Sequence, residues 1–153
     1  MTFGQSVSTC FSKYVTFSGR AQRSEFWWWV LFVFVANLVL SVIDSVLFGT
    51  TVTTEYGFEA STNTPILSGL FGLATLLPGI SVAVRRLHDR DKSGWWYWLV
   101  LIPLVGIIIL IVWFATEGTS GPNRYGEDPL GGGSDYGGGE GLTASSVPNV
   151  PRG

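Results

Sequence analysis

The chain has 153 residues, 46% of them hydrophobic and only 13% charged, with seven tryptophans. A soluble domain carries about 25% charged residues, so this supply cannot coat so apolar a chain in water. One cysteine and one histidine exclude an intramolecular disulfide and a four-ligand structural zinc site, and basic residues that flank apolar runs in a chain of acidic pI speak against nucleic acid as a partner.

Residues 1–19 come first. Phe3, Val7, Cys10, Tyr14 and Phe17 recur at helical spacing, and Phe11 and Val15 widen the seam. The segment is too polar to span and lacks the unbroken apolar core of a signal peptide. The pattern predicts an amphipathic helix on the cytoplasmic membrane surface, the alternative being a helix packed on its own bundle. Gly19 is the expected stop, since glycine readily takes the left-handed conformation that ends helices.

Three apolar segments follow, at about 26–48, 65–84 and 95–115, each near the roughly 20 residues that a crossing needs. The first opens on Trp27-Trp28-Trp29 and carries Asn37, Ser41 and Asp44 on one helical face. Polar groups in a membrane usually face protein or water, so these are read as interhelical hydrogen bonding, with an ion or proton path as the alternative. The second segment is rich in small residues. Ser68 with Gly72, and Gly79 with Ala83, are spaced for close helix approach. Pro78 and Pro103 predict kinks in the second and third helices.

Between the second and third segments lies Arg85-Arg86-Leu87-His88-Asp89-Arg90-Asp91-Lys92-Ser93-Gly94. This charged knot is read as a topology determinant and tight turn, or as an anion or partner site. Catalysis by His88 and Asp89 is disfavoured, because neighbours on a helix point in different directions and no nucleophile stands at a motif spacing. Residues 118–129 are turn-forming. Residues 130–153 read as a flexible Gly-rich tail.

Seven basic residues (Lys13, Arg20, Arg23, Arg85, Arg86, Arg90, Lys92) fall on one side of a three-span topology, and Arg124 and Arg152 on the other. The positive-inside rule then predicts a cytoplasmic N-terminus and knot and an outside C-terminus. Trp27, Trp95 and Trp96 mark the headgroup level.

Four blocks in fixed order are familiar. Phe17-x-Gly19-Arg20-x-x-Arg23-x-Glu25-Phe26-Trp27 resembles the opening motif of the domain of unknown function 805 family, the YhaH-like bacterial inner-membrane proteins. Arg85-Arg86-Leu87-His88-Asp89 with Ser93-Gly94-Trp95-Trp96 is similar to its central signature. Ile102-Pro103-Leu104-Val105-Gly106 and Asn123-Arg124-Tyr125-Gly126-x-Asp128-Pro129 resemble its last two blocks, and Asp44 resembles a further family feature. The resemblance covers about residues 11–129. It implies a small multi-pass protein of the bacterial cytoplasmic membrane and no enzyme class.

The expected architecture is an all-α membrane protein of three transmembrane helices, at residues 20–129, preceded by the interfacial segment at 1–19. Arg20, Arg23, Arg85, Arg86, Arg90, Trp27, Trp95 and Trp96 are the candidate contacts to lipid, anion or partner. Glu25, Asn37, Asp44, His88 and Asp89 are assigned structural polar roles, with Glu25 or Asp89 pairing with an arginine of the other block. Residues 123–129 would lie outside that cluster unless the second segment turned back within the membrane. No catalytic residue, metal or cofactor is assigned. The expected role is a non-enzymatic component acting through lipid contacts, anionic lipids included, or through protein contacts with a second copy or another membrane protein. The alternative is a subunit of an oligomeric transporter or channel using Asn37 and Asp44.

Overall fold

The computed structural model describes residues 1–61 and 65–131. Two long helices form its frame: α2 (Arg23–Phe48) and α3 (Ile66–Asp89). At 1.5 Å per residue they are about 39 and 36 Å long, more than the roughly 30 Å hydrocarbon core of a bilayer. Among the described residues, these two helices are long and apolar enough to cross a membrane. Their outer faces carry Phe34, Leu38, Val42 and Val46 on α2 and Leu70 and Leu73 on α3, all exposed. A water-soluble fold rarely leaves so large an apolar surface bare.

A short antiparallel hairpin, β1 (Thr50–Thr54) and β2 (Gly57–Ser61), joins the two helices through a two-residue turn at Glu55 and Tyr56. It adds a small sheet to an otherwise helical fold. Asp44 fastens the same end. Its carboxylate accepts hydrogen bonds from the Leu67 and Ser68 amides at 2.9 and 2.8 Å and from the Ser68 hydroxyl at 2.7 Å. The residue at the N-cap of α3 is Pro65, which offers no side-chain acceptor. The first amides of a helix need an acceptor, and an anion there is favoured by the helix dipole. Asp44 supplies both from the neighbouring helix.

The segment α1 (Phe3–Ser12) begins with a capping box between Thr2 and Gln5. It buries Ser6 and Cys10, and sets Phe3 and Phe11 edge-on to Trp28 and Trp29 of α2, with ring centroids 5.7 and 5.2 Å apart. The helix thus packs on its own bundle, while Phe11, Val15 and Phe17 stay exposed. It ends at Ser12, not at Gly19. Gly19, at φ 84°, turns the linker instead.

The third apolar segment departs most from expectation. It is not one crossing helix. A 3-10 helix (Gly94–Leu101) runs inward, the chain reverses at Ile102-Pro103-Leu104, and α4 (Val105–Ala115) runs back. Pro103 lacks the amide that would continue the helix and disfavours helical geometry at Ile102. The Val105 amide donates to the Pro103 carbonyl at 2.8 Å, which closes a γ-turn around Leu104 at φ 65° and ψ −71°. Gly106 lets the returning chain close up, since a Cβ there would lie 1.9 Å from the Leu99 carbonyl oxygen. The two arms meet through Trp96 and Trp113, 5.7 Å apart at right angles, with Lys92 over the Trp113 ring. Pro103 therefore reverses the chain rather than kinking a helix, whereas α3 runs on through Pro78.

This reversal corrects the expected position of the C-terminal block. Residues 116–131 return to the end that holds Arg20 and Asp89, not to the end of Asp44 and the hairpin. The third segment turns back, and the second does not. The buried core sits at this same charged end, where Phe26 and Trp29 of α2, Val82, Ala83 and Leu87 of α3, and Leu110 and Phe114 of α4 meet. The tail expected at 130–153 falls outside the described residues from 132 onward.

Candidate functional site: an internal arginine cluster with a cationic rim

The last turns of α3 carry the charged knot past the apolar stretch that ends at Val84. There Arg85, Arg86, Leu87, His88 and Asp89 are all buried. A buried charge is tolerated when it is paired and hydrogen-bonded, and each arginine finds partners from a different part of the chain. Arg85 reaches Glu25 in the first turn of α2, Nη1 to Oε1 at 2.5 Å. Its Nε and Nη2 meet no acceptor among the described residues. The Cys10 thiol lies close by, and burial, with the Glu25 charge, pushes it up to about 12. It stays a thiol at neutral pH.

Arg86 ties α4 to α3. It pairs with Asp89 one turn on, and it donates to the carbonyls of Phe114 at 3.2 Å and of Thr116. Those carbonyls lie at the α4 C-terminus, where the last oxygens lack helical partners and the dipole favours a cation. Arg20 ties the linker before α2 to the C-terminal block. Its Nε donates to Asp89 Oδ1 at 2.9 Å, and Nη1 to the Gly121 carbonyl at 2.6 Å, while Nη2 donates to that of Thr119. Asp89 thus sits between two guanidiniums and also accepts the Thr119 amide on its backbone oxygen at 2.7 Å. Gly118 is the residue that allows the close pass, because a Cβ there would stand 2.0 Å from Asp89 Oδ2.

His88 is held as a structural ring. Nδ1 lies 3.1 Å from the Gly19 carbonyl, which can only accept, so the ring proton is assigned to Nδ1. The ring stacks on Tyr125 at 3.9 Å and 3°, and the Asn123 side chain donates to the His88 carbonyl at 2.9 Å. Burial holds His88 below its ordinary value; the Gly19 carbonyl opposes this and the Arg124 charge adds to it. Asp128 is held below the usual carboxylate range by the Leu130 and Gly121 amides, and so anchors the turn that presents Asn123 and Tyr125.

The expected pairing of Glu25 or Asp89 with an arginine of the other block takes both forms, Glu25 with Arg85 and Asp89 with Arg20. The candidate contact arginines divide into two groups. Arg20, Arg85 and Arg86 are buried and turned toward protein acceptors. Arg23 and Arg90 stay at the rim. Arg23 is paired at 3.1 Å with Glu117, and the half-buried Arg90 has no side-chain partner among the described residues. Trp27, Trp95 and Trp96 are exposed at the same end.

Asn37 and Asp44 do not converge. Asn37 donates to the Val33 carbonyl of its own helix at 3.1 Å, two turns from Asp44, whose oxygens are taken by α3. The residues that sequence reasoning missed are Thr119, Gly121, Asn123 and Tyr125. The similarity of the Asn123–Pro129 block to the family's last motif was the signal; the three-span topology moved it to the wrong end.

These features define a helical integral membrane protein with its arginines knitted inside one end. Residues 14–127 match the family described as Protein of unknown function (DUF805). Inner membrane protein YhaI of Escherichia coli strain K12 is 46% identical over 116 residues, covering 76% of this chain and 87% of its own. Inner membrane protein YhaH of the same strain is 40% identical over 116 residues, covering 76% and 88%. The uncharacterized protein YiiR is 28% identical over 139 residues, covering 74% and 85%. No solved structure matches. The chain belongs to the DUF805 family of proteins of unknown function.

Proposed function

We propose that this protein is a non-enzymatic component of the bacterial cytoplasmic membrane that engages anionic lipid headgroups through the rim of its charged end. In this reading α2 and α3 cross the membrane, and the 3-10 helix with α4 enters and leaves from the cytoplasmic side. The N-terminus, the knot and residues 116–131 then all face the cytoplasm. The charge distribution supports this. Lys13, Arg20, Arg23, Arg85, Arg86, Arg90, Lys92 and Arg124 lie at one end, and the sequence between α2 and α3, residues 49–65, has no Lys or Arg.

The observation that carries the proposal is the division of labour among the arginines. The internal three are spent on protein acceptors, which leaves exposed Lys13 and half-buried Arg90 and Lys92 at the charged end, which also exposes Trp95 and Trp96. Basic residues at this level gain about 1 kcal/mol each from an anionic leaflet. The transporter or channel alternative is less favoured, because Asp44 is engaged as a helix cap. The test is the phosphatidylglycerol retained by protein purified in mild detergent. Replacing Lys13, Arg90 and Lys92 by Gln is expected to lower its enrichment over phosphatidylethanolamine about fivefold per charge. Unchanged enrichment in a folded triple variant would overturn the lipid reading.

A further inference from the structure

A groove of 760 Å³ runs between α2, α3 and the returning hairpin. It starts at Phe26 and Phe114 near the charged end and reaches Asn37 and Gly72. We propose that it seats one acyl chain of a cytoplasmic-leaflet phospholipid, with the lipid phosphate held by Arg23. The phosphate end of this proposal rests on the reading that the charged end meets the headgroups.

Length selects the occupant. From Phe26 to Asn37 the groove follows eleven residues of helix, about 16 Å. One leaflet of the hydrocarbon core is about 15 Å deep. A crossing helix from a second copy would need a track of about 30 Å, twice what the groove offers. Its depth has the same origin as the hairpin, because α4, at eleven residues, also spans about 16 Å.

Small residues make the space. A Cβ at Gly72 would meet nothing within 4 Å, and one at Gly79 would first meet Trp29 Nε1 at 3.6 Å. The walls are apolar, as a chain of methylenes requires. A cation stands next to the end of the groove at Phe26 and Trp27. Arg23 stands one turn before Phe26 and Trp27, with 43% of its side chain exposed, and its partner Glu117 is 79% exposed. Such a surface pair is weak. A phosphate can displace it, since a guanidinium binds phosphate with two parallel hydrogen bonds. Arg23 also donates to the Ala115 carbonyl at 3.5 Å, which holds it across the ends of α2 and α4, next to Phe26 and Phe114 of the groove. Trp27 is exposed beside it, and tryptophan favours the headgroup level.

The test uses a phosphatidylglycerol carrying a photoreactive group in its acyl chain, added in trace amount to the full-length protein in detergent. Crosslinks are expected to concentrate on Val33, Thr75 and Leu110, within the groove. Gly72→Leu with Gly79→Leu places side chains in the empty space and is expected to lower crosslinking at least fivefold. Arg23→Gln, at an exposed position with little folding risk, should lower it about fivefold, and Arg23→Lys should restore part of the loss. Crosslinks spread over the outer faces at Leu38 and Leu73, with no response to Arg23→Gln, would overturn the proposal. So would a glycine double variant that turns a dimer into a monomer while crosslinking stays unchanged. Loss of phosphatidylglycerol enrichment in the rim variant with groove crosslinks intact separates the two sites. Groove crosslinks that persist when the rim proves inert sink the rim reading alone.

Discussion

His88 carries a proton problem that its surroundings resolve. It is the only histidine and lies beyond the membrane-length part of α3, between the Gly19 carbonyl and the Tyr125 ring. Burial favours the neutral ring, and the nearby Arg124 does the same. Its pKa in the fold therefore lies below the ordinary 6.5. In this case the unfolded chain binds the proton first. Stability is fully present above about pH 6.5 and falls as the pH drops from there through the depressed folded value. The thermal midpoint in detergent should be lower at pH 5 than at pH 7.5, and His88→Gln should flatten that slope. A wild-type midpoint that does not move between these pH values would contradict the assignment. At the same scale, Arg20 and Arg86 show why an arginine count does not equal an anion site. Their donors are spent on the carbonyls of Gly121, Thr119, Phe114 and Thr116.

At the scale of elements, the pair formed by the 3-10 helix and α4 depends on two residues. Leu104 holds a γ-turn at positive φ, and Gly106 gives the room for return. Gly106→Ala would press a methyl group onto the Leu99 carbonyl, a backbone atom that cannot swing away. Overpacking of this kind costs about 1–3 kcal/mol. The variant should unfold at lower temperature in detergent than Gly72→Ala, whose Cβ meets nothing within 4 Å. Equal midpoints for the two would mean that the arms do not pack this closely. The α2 and α3 ends were legible in sequence to within a few residues, because each is a long apolar run bounded by charge or turn residues. The hairpin inside the third run was not. Its composition is as apolar as a crossing helix, and the proline that marks the reversal is also a common cause of a simple kink.

For the molecule as a whole, the proposed topology turns on the reversal of the third segment. In the proposed topology of two crossings and a returning hairpin, a reporter fused after residue 153 is expected on the cytoplasmic side: fluorescent as a fluorescent-protein fusion, inactive as an alkaline phosphatase fusion. Phosphatase activity in that fusion would restore the three-crossing topology. The amino-acid sequence alone determined the membrane class, the two long helices, the cationic end and the family, because composition, apolar run length and ordered motifs depend on local residues and on the solvent they prefer. It also offered Glu25 or Asp89 as the partner of an arginine in the other block; the structure uses both. Only the tertiary structure decided that Arg20, Arg85 and Arg86 turn inward, that Asp44 caps a helix whose own N-cap is a proline, and that residues 119–126 complete the cluster. Those outcomes follow from donors and acceptors that are far apart in the chain. Arg20 and Gly121 become neighbours only after a single turn at Leu104 sends the chain back, and no local pattern of hydrophobicity or charge records that direction.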